Sequence, residues 1–120
     1  QLASRVYAGA DIYLMPSRSE PCGLSQLIAM HYGTIPVVSA TGGLKDTVEP
    51  YDPTTGRGSG FTFQSYNADD FLGAIDRATG LYYGDRAAWR RLIGHDMLLD
   101  VSWRKPAAEY MRLYVQLLQR

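Results

Sequence analysis

Two short apolar segments, each followed directly by a glycine-containing corner, constrain the fold of this chain more than any other feature. The first segment, residues 11–16, leads into residues 17–27, which read SRSEPCGLSQL. The second segment, residues 35–38, is rich in β-branched residues and leads into residues 40–48, ATGGLKDTV. In an open parallel sheet the carboxyl ends of the strands meet at one edge, where ligands bind. The pattern therefore predicts that both corners lie at the same sheet edge.

Hydrophobic spacing predicts three strands and six helices in the order α-β-α-β-α-β-α-α-α. The strands are expected at residues 11–16, 35–38 and 60–63. The helices are expected up to Gly9, at 21–32, at 45–49, from an N-cap at Asn67 onward, at 86–99 and at 106–118. The following residues of the late segments are predicted to pack inward: Phe71, Ile75, Ala78, Tyr82, Trp89, Leu92, Ile93, Met97, Trp103, Tyr110, Leu113, Tyr114 and Leu117.

This order of elements is typical of the later part of a doubly wound α/β domain. A complete domain of that kind has about six strands, and only three are predicted here. We therefore expect residues 1–120 to form the C-terminal half of a Rossmann-like domain. It would contain three parallel strands, flanking helices and a helical C-terminal tail.

Charge and cysteine content argue against several classes of function. The 12 Lys and Arg residues balance the 12 Asp and Glu residues, so no net positive field attracts nucleic acid or an anionic membrane. Cys22 is the only cysteine, and His31 and His95 have no partner at ligand spacing, so neither a disulfide nor a metal site is expected. No apolar run is long enough to span a bilayer. The expected compartment is the cytoplasm.

The first corner has the composition of a phosphate site. The first backbone N–H groups of a helix have no partner within the helix, and they bind phosphate readily. Glu20 and Cys22 would then touch the group that the phosphate carries. A plainer interpretation exists for each residue: Glu20 as a helix cap, Cys22 as a small buried apolar side chain, and Gly23 as relief from crowding.

The motifs resemble those of bacterial glycogen synthases and plant starch synthases. The resemblance rests on S-R-x-E-P-C-G-L-S-Q-L, Y-G-T-I-P-V-V, T-G-G-L-K-D-T-V and a final Ser102-Trp103, in matching order and spacing. It implies a retaining glucosyltransferase of GT-B architecture, with two Rossmann-like domains and the active site in the cleft between them. Residues 1–120 would be part of the second, nucleotide-sugar-binding domain, and the N-terminal domain is absent from them.

The resemblance implies specific roles for the first corner. Glu20 matches the active-site carboxylate that faces the transferred glucose. Cys22 matches a cysteine beside the sugar, which we expect to pack rather than to act as a nucleophile. The backbone N–H groups of Gly23, Leu24 and Ser25, with the serine hydroxyl, are expected to bind the distal phosphate of the donor.

The second corner and Arg18 complete the predicted site. Thr41, Gly42 and Gly43 match the family loop that passes close to the sugar. Arg18 either lends positive charge to the cleft or is a solvated or structural arginine, and the sequence favours neither.

Four positions depart from related patterns. Ser19 replaces a common aromatic residue, and Ser39 and Ala40 stand where bacterial members often carry a basic residue. These changes put an unaltered donor pocket in question. Ile28 occupies the position of the second glutamate in sucrose-type glycosyltransferases, which favours the glycogen and starch synthase group.

The resemblance implies transfer of glucose from ADP-glucose to the 4-hydroxyl at the non-reducing end of an α-1,4-glucan, without a metal or another cofactor. Residues 1–120 alone are expected to be inactive, because half of the phosphate site and the whole acceptor side would be missing. Two alternatives stay open: a non-catalytic α/β binding module, and another nucleotide-sugar glycosyltransferase of the same architecture. The compartment would be the bacterial cytoplasm, or the plastid for a plant protein.

Overall fold

The computed structural model describes all of residues 1–120 and has the predicted number and order of elements. The elements are α1 Leu2–Gly9, β1 Ile12–Met15, α2 Ser25–His31, β2 Ile35–Ser39, α3 Gly42–Thr47, β3 Phe61–Phe63, α4 Ala68–Gly84, α5 Arg86–Met97 and α6 Arg104–Leu118. None of the six helices combines the length and the apolar character that crossing a membrane would require.

The three strands form one parallel sheet in the order β1-β2-β3. Leu14 of β1 pairs with Val37 of β2, and Val38 pairs with Thr62 of β3. Two adjacent parallel strands need a crossover connection between them. Helix α2 lies in the connection from β1 to β2, and α3 lies in the connection from β2 to β3. The predicted three-stranded parallel α/β fold is confirmed.

The central strand β2 is buried on both faces, as its continuous apolar sequence predicts. Alternate residues point to opposite faces of a strand. Ile35 and Val37 belong to a cluster with residues of β3, α4 and α5, whereas Val38 belongs to a second cluster with residues of α2 and α3. Helices therefore cover both sides of the sheet, and β2 is fixed between two cores.

Helices α4 and α5 begin at caps that the sequence encodes. The Asn67 side chain accepts a hydrogen bond from the Asp70 N–H at 2.8 Å, which confirms the predicted N-cap. Asp85 caps α5 in the same way, accepting from the Ala88 N–H at 3.0 Å. Such caps each stabilise a helix by about 1 kcal/mol. The start of each of these two helices is therefore fixed by a local side-chain hydrogen bond.

Two helix starts differ from the sequence prediction. Helix α2 is predicted from residue 21 but begins at Ser25, because the left-handed φ of 71° at Gly23 interrupts any right-handed helix that would run through this residue. Helix α3 was expected at residues 45–49 but begins at Gly42, directly after the extended Thr41. The first corner is therefore a loop with only its last residues helical, whereas in the second corner Gly42, with a φ of 47°, is the first residue of α3 and Gly43 lies in its first turn.

The prediction that the C-terminal segment packs inward is wrong. No residue of α6 is buried, and the exposed side chains include Trp103, Tyr110, Leu113, Tyr114 and Leu117. Helical periodicity identifies an apolar face but not the surface against which that face packs. The inward residues predicted for α4 are confirmed, and so are Trp89, Leu92 and Ile93 of α5.

Asp96, and not Met97, takes the buried position at the end of α5. Asp96 is 1% exposed and Met97 is 49% exposed. Position 96 continues the buried face of Trp89 and Leu92 at helical spacing. Neither carboxyl oxygen of Asp96 has a hydrogen-bond partner, and burial raises the pKa of this carboxyl to about 8.

Replacing Asp96 with asparagine is expected to change how stability depends on pH. Unfolding returns the Asp96 pKa to its ordinary value of 3.8. Between 3.8 and about 8 the folded state therefore binds more protons than the unfolded state. The contribution of this acid to stability is complete below the lower value and is lost as pH rises through the upper one. The free energy of unfolding of wild type should thus fall relative to Asp96→Asn as the pH rises from about 4 to about 8. Denaturant titrations measure this, and parallel pH profiles would contradict it.

Candidate functional site

The two corners predicted from the sequence lie at the carboxyl edge of the sheet. Strand β1 ends at Met15, β2 ends at Ser39, and β3 ends at Phe63, and all three strands are parallel. The loops that follow these strands therefore emerge on the same side. This is the edge at which open α/β sheets bind their ligands.

The two corners touch each other through their backbones. The Gly43 N–H donates a hydrogen bond to the Glu20 carbonyl oxygen at 2.9 Å. A Cβ atom on Gly42 would overlap the carbonyl oxygen of Glu20, and one on Gly43 would overlap that of Cys22. Both glycines are therefore required by close backbone approach, and Gly42 in addition has a φ of 47°. The structure brings together the two motifs that the sequence separates by about twenty residues.

The first corner presents a row of unpaired backbone donors. The N–H groups of Gly23, Leu24 and Ser25 have no hydrogen-bond acceptor within the chain. Leu24 is the N-cap residue of α2 and makes no side-chain cap, so no side chain satisfies these groups. Unpaired N–H groups at such a position attract an anion. The Ser25 hydroxyl donates instead to the Met15 sulfur at 3.5 Å.

Glu20 and Cys22 are available at the same corner. Glu20 is half-buried, and its Cγ lies 3.1 Å from the position that a Cβ on Gly23 would take. Because no side chain caps α2, the interpretation of Glu20 as a helix cap is wrong. Cys22 is a free, exposed thiol, so its interpretation as a buried apolar residue is also wrong. Arg18 is exposed two residues before Glu20.

The second corner leaves its own polar groups free. Thr41 is the N-cap of α3, yet its side chain makes no capping hydrogen bond. The Gly42 N–H has no acceptor within the chain, whereas the Gly43 N–H donates to the Glu20 carbonyl oxygen. One hydroxyl and one N–H therefore remain unpaired beside the first corner.

Gln26 belongs to the candidate site, although no sequence motif assigned it a role. It is fully buried, and its Nε2 donates to the Gly23 carbonyl oxygen at 2.8 Å and to the Thr47 hydroxyl at 3.1 Å. The Thr47 hydroxyl donates in turn to the Gly43 carbonyl oxygen at 2.8 Å. Helical spacing from the buried Ala29 and Met30 would have placed position 26 on the inner face of α2.

An aromatic pocket of about 350 Å³ lies at the same sheet edge. It is bounded by Pro16 after β1, by Phe63 at the end of β3, and by Tyr66 and Phe71. The Tyr66 hydroxyl donates to the Pro16 carbonyl oxygen at 3.1 Å and so joins the loops after β1 and β3. No sequence motif points to a functional role for Pro16 or Tyr66.

Side chains with metal-binding chemistry do not gather in one place. The structure has no group of three or more His, Cys, Asp or Glu residues that could hold a metal ion. His31 and His95 are both exposed. The expectation of a metal-free reaction stays a prediction.

A family model and a large set of relatives match this chain. The model described as "Glycosyl transferases group 1" matches residues 3–90. A glycogen synthase from Desulfitobacterium hafniense is 53% identical over 117 residues, which cover 98% of this chain and 25% of that protein. The chain thus spans about a quarter of the length of the curated relatives it matches.

Two of the solved structures that match this chain show the same architecture. The catalytic domain of starch synthase IV from Arabidopsis thaliana, bound to ADP and acarbose, matches with a TM-score of 0.87 and 42% identity over 99% of this chain and 25% of its own. Sucrose-phosphate synthase from Thermosynechococcus elongatus matches with a TM-score of 0.66 and 30% identity, covering 94% and 27% of the two chains.

Replacing Gly43 with alanine is expected to separate the two corners. The added methyl group would overlap the Cys22 carbonyl oxygen, and because φ at Gly43 is not positive the effect comes from crowding alone. We expect a loss of about 1–3 kcal/mol in the free energy of unfolding, measured with a chemical denaturant.

Gly80→Ala in α4 is the matched control, because a Cβ there meets nothing within 4 Å. It should raise helix stability slightly, since alanine is the better helix former. Equal free energies of unfolding for Gly43→Ala and Gly80→Ala would contradict the close backbone contact.

Proposed function

Since this chain belongs to the family of glycosyl transferases group 1, we propose that it is the donor-binding part of a synthase that extends an α-1,4-glucan with glucose. The resemblance to glycogen and starch synthases, and the GT-B fold it implies, agree with the relatives found. One observation carries the proposal within the molecule. Three unpaired N–H groups lie beside a glutamate, and a second glycine corner is held against both.

The unpaired N–H groups of Gly23, Leu24 and Ser25 bind the distal phosphate of the nucleotide sugar. Three successive backbone donors are suited to phosphate oxygens, and the exposed Arg18 can add positive charge. When the bond between the sugar and the diphosphate breaks, negative charge grows on the leaving oxygen. The same donors stabilise that charge most strongly as it forms.

Glu20 and the second corner hold the glucose. The Glu20 carboxylate accepts hydrogen bonds from hydroxyl groups of the sugar. It also stabilises the positive charge that develops at the anomeric carbon of the sugar. Cys22, Thr41 and Gly42 line the sugar pocket, where the missing side chains of the glycines let the ring approach the backbone. The acceptor 4-hydroxyl attacks the anomeric carbon on the face from which the diphosphate leaves, so configuration is retained. The bond from the sugar to the diphosphate breaks, and the hydroxyl proton passes to the leaving phosphate oxygen. Backbone donors and basic residues take the place of a metal.

The proposed donor is ADP-glucose. The starch synthase IV domain, which shares 42% identity with this chain, is described as bound to ADP. Ile28 lies where sucrose-type enzymes carry a second glutamate, and the sucrose-phosphate synthase is the more distant of the two structures, at 30% identity. The ADP in the starch synthase IV structure favours an adenosine diphosphate donor, and Ile28 with the lower identity to sucrose-phosphate synthase favours the glycogen and starch synthase group.

The acceptor glucan binds to the part of the protein outside residues 1–120. Catalysis in a two-domain cleft requires both walls, because positioning of the two substrates supplies much of the rate. We therefore propose that residues 1–120 belong to the C-terminal nucleotide-sugar-binding domain and are inactive when isolated. A cytoplasmic location is proposed from the bacterial origin of the curated relatives.

Replacing Glu20 with alanine in the full-length protein should lower kcat by about two orders of magnitude or more, because a charge aimed at the transition state is lost. The assay is incorporation of labelled glucose from ADP-glucose into glycogen. Glu49→Ala, which removes an exposed glutamate after α3, is the control and should leave the rate unchanged. Near wild-type turnover of Glu20→Ala would remove this residue from the mechanism.

Comparison of ADP-, UDP- and GDP-glucose in the same assay tests the donor. We expect ADP-glucose to give the highest kcat/KM and the rate to persist in EDTA. Preference for another nucleotide would favour a different glycosyltransferase of the same architecture. Failure of the full-length protein to transfer any sugar, with donor binding retained, would favour a non-catalytic binding module.

A further inference from the structure

One buried side chain connects the two corners of the site. Gln26 lies in the first turn of α2 and is fully shielded from solvent. Its Nε2 donates to the Gly23 carbonyl oxygen at 2.8 Å and to the Thr47 hydroxyl at 3.1 Å. The first acceptor belongs to the first corner, and the second belongs to the helix that begins in the second corner. A single amide group therefore bridges both.

Thr47 extends this bridge to the second glycine corner. Its hydroxyl accepts from Gln26 and donates to the Gly43 carbonyl oxygen at 2.8 Å. The hydrogen bonds thus run without interruption from the Gly23 carbonyl, through the Gln26 amide and the Thr47 hydroxyl, to the Gly43 carbonyl. The N–H of the same Gly43 donates to the Glu20 carbonyl oxygen at 2.9 Å and so connects the second corner to the first again.

The energetics of Gln26 argue for a role other than filling space. Its Oε1 is buried and has no hydrogen-bond partner, so the side chain carries an uncompensated desolvation cost. An apolar side chain of similar length would avoid that cost. What the amide supplies, and an apolar side chain could not, is the pair of donated hydrogen bonds to Gly23 and Thr47.

We propose that Gln26 and Thr47 form a polar brace that positions the two corners for the nucleotide sugar. This inference rests on the proposed function for its substrate. By fixing the Gly23 carbonyl, the brace sets the direction of the adjoining unpaired N–H groups. By fixing the Gly43 carbonyl, it sets the contact with Glu20. Both are positioning residues, because neither touches the reacting atoms.

The brace acts by preparing the site before the donor arrives. Loss of either residue leaves the corners to be ordered at the moment of binding, and the entropy of that ordering is subtracted from donor affinity. The acceptor glucan does not contact these corners in the proposed site. The brace is therefore expected to affect KM for ADP-glucose and to leave KM for glycogen unchanged.

The experiment uses Gln26→Met, Thr47→Val and their double variant in the full-length protein. Each replacement keeps the approximate shape and removes the hydrogen-bonding group. Thr79→Val is the matched control, because the Thr79 hydroxyl donates to the Ile75 carbonyl four residues earlier at 3.0 Å, as Thr47 does to Gly43, but on α4. Thermal unfolding of every variant is measured alongside the kinetics.

The expected result is a rise of about tenfold in KM for ADP-glucose in each single variant. The KM of the double variant for ADP-glucose should not exceed the higher of the two single-variant values, because both residues belong to one connected unit. Thr79→Val should match wild type. Independent effects that multiply in the double variant, or a lowered melting temperature with KM for ADP-glucose unchanged, would overturn the brace.

Hydrogen exchange separates this inference from the proposed function. If the wild-type protein transfers no glucose from ADP-glucose, the proposed function fails, and exchange of residues 17–27 and 40–48 still tests the brace. Thr47→Val should accelerate exchange in residues 17–27, although the substitution lies in α3. Unchanged exchange there would overturn the brace whatever the substrate is.

Discussion

The site depends on a contact between two stretches of backbone. The hydrogen bond from the Gly43 N–H to the Glu20 carbonyl, at 2.9 Å, joins the loop after β1 to the helix after β2. It can form only because neither Gly42 nor Gly43 has a side chain to keep the loops apart. The position of the Glu20 carboxylate relative to the open N–H groups follows from it. A side chain at either glycine would push the two corners apart and so alter the shape of the pocket, although it would replace no functional side chain.

The sheet makes that contact possible. Strand β2 is held between two apolar clusters, so it can neither slide nor turn over without exposing one of them. Its carboxyl end is thereby fixed beside that of β1, and the two corners are delivered to one place. Within this apolar frame the Gln26 amide is a buried polar group with one unpaired atom. Buried networks of this kind specify a geometry at some cost in stability.

The fold and the position of both corners at one sheet edge were predictable from local patterns. The apolar run of β2, the Asn67 cap and the helical spacing of Phe71, Ile75 and Ala78 each report a short-range requirement, and each prediction is confirmed. The helix starts at Ser25 and Gly42 were not predictable, because a glycine can lie inside or outside a helix. Its φ is decided by neighbours distant in sequence.

The sequence by itself determined the order of strands and helices and the residue types at both corners. These follow from spacing and from the backbone preferences of glycine and proline. Only the tertiary structure decided that Gly43 rests on Glu20 and Cys22, that Gln26 reaches Thr47, and that Asp96 is buried without a partner. It also left the apolar face of α6 exposed. Each of these depends on which surfaces meet, and periodicity within one segment holds no information about its partner.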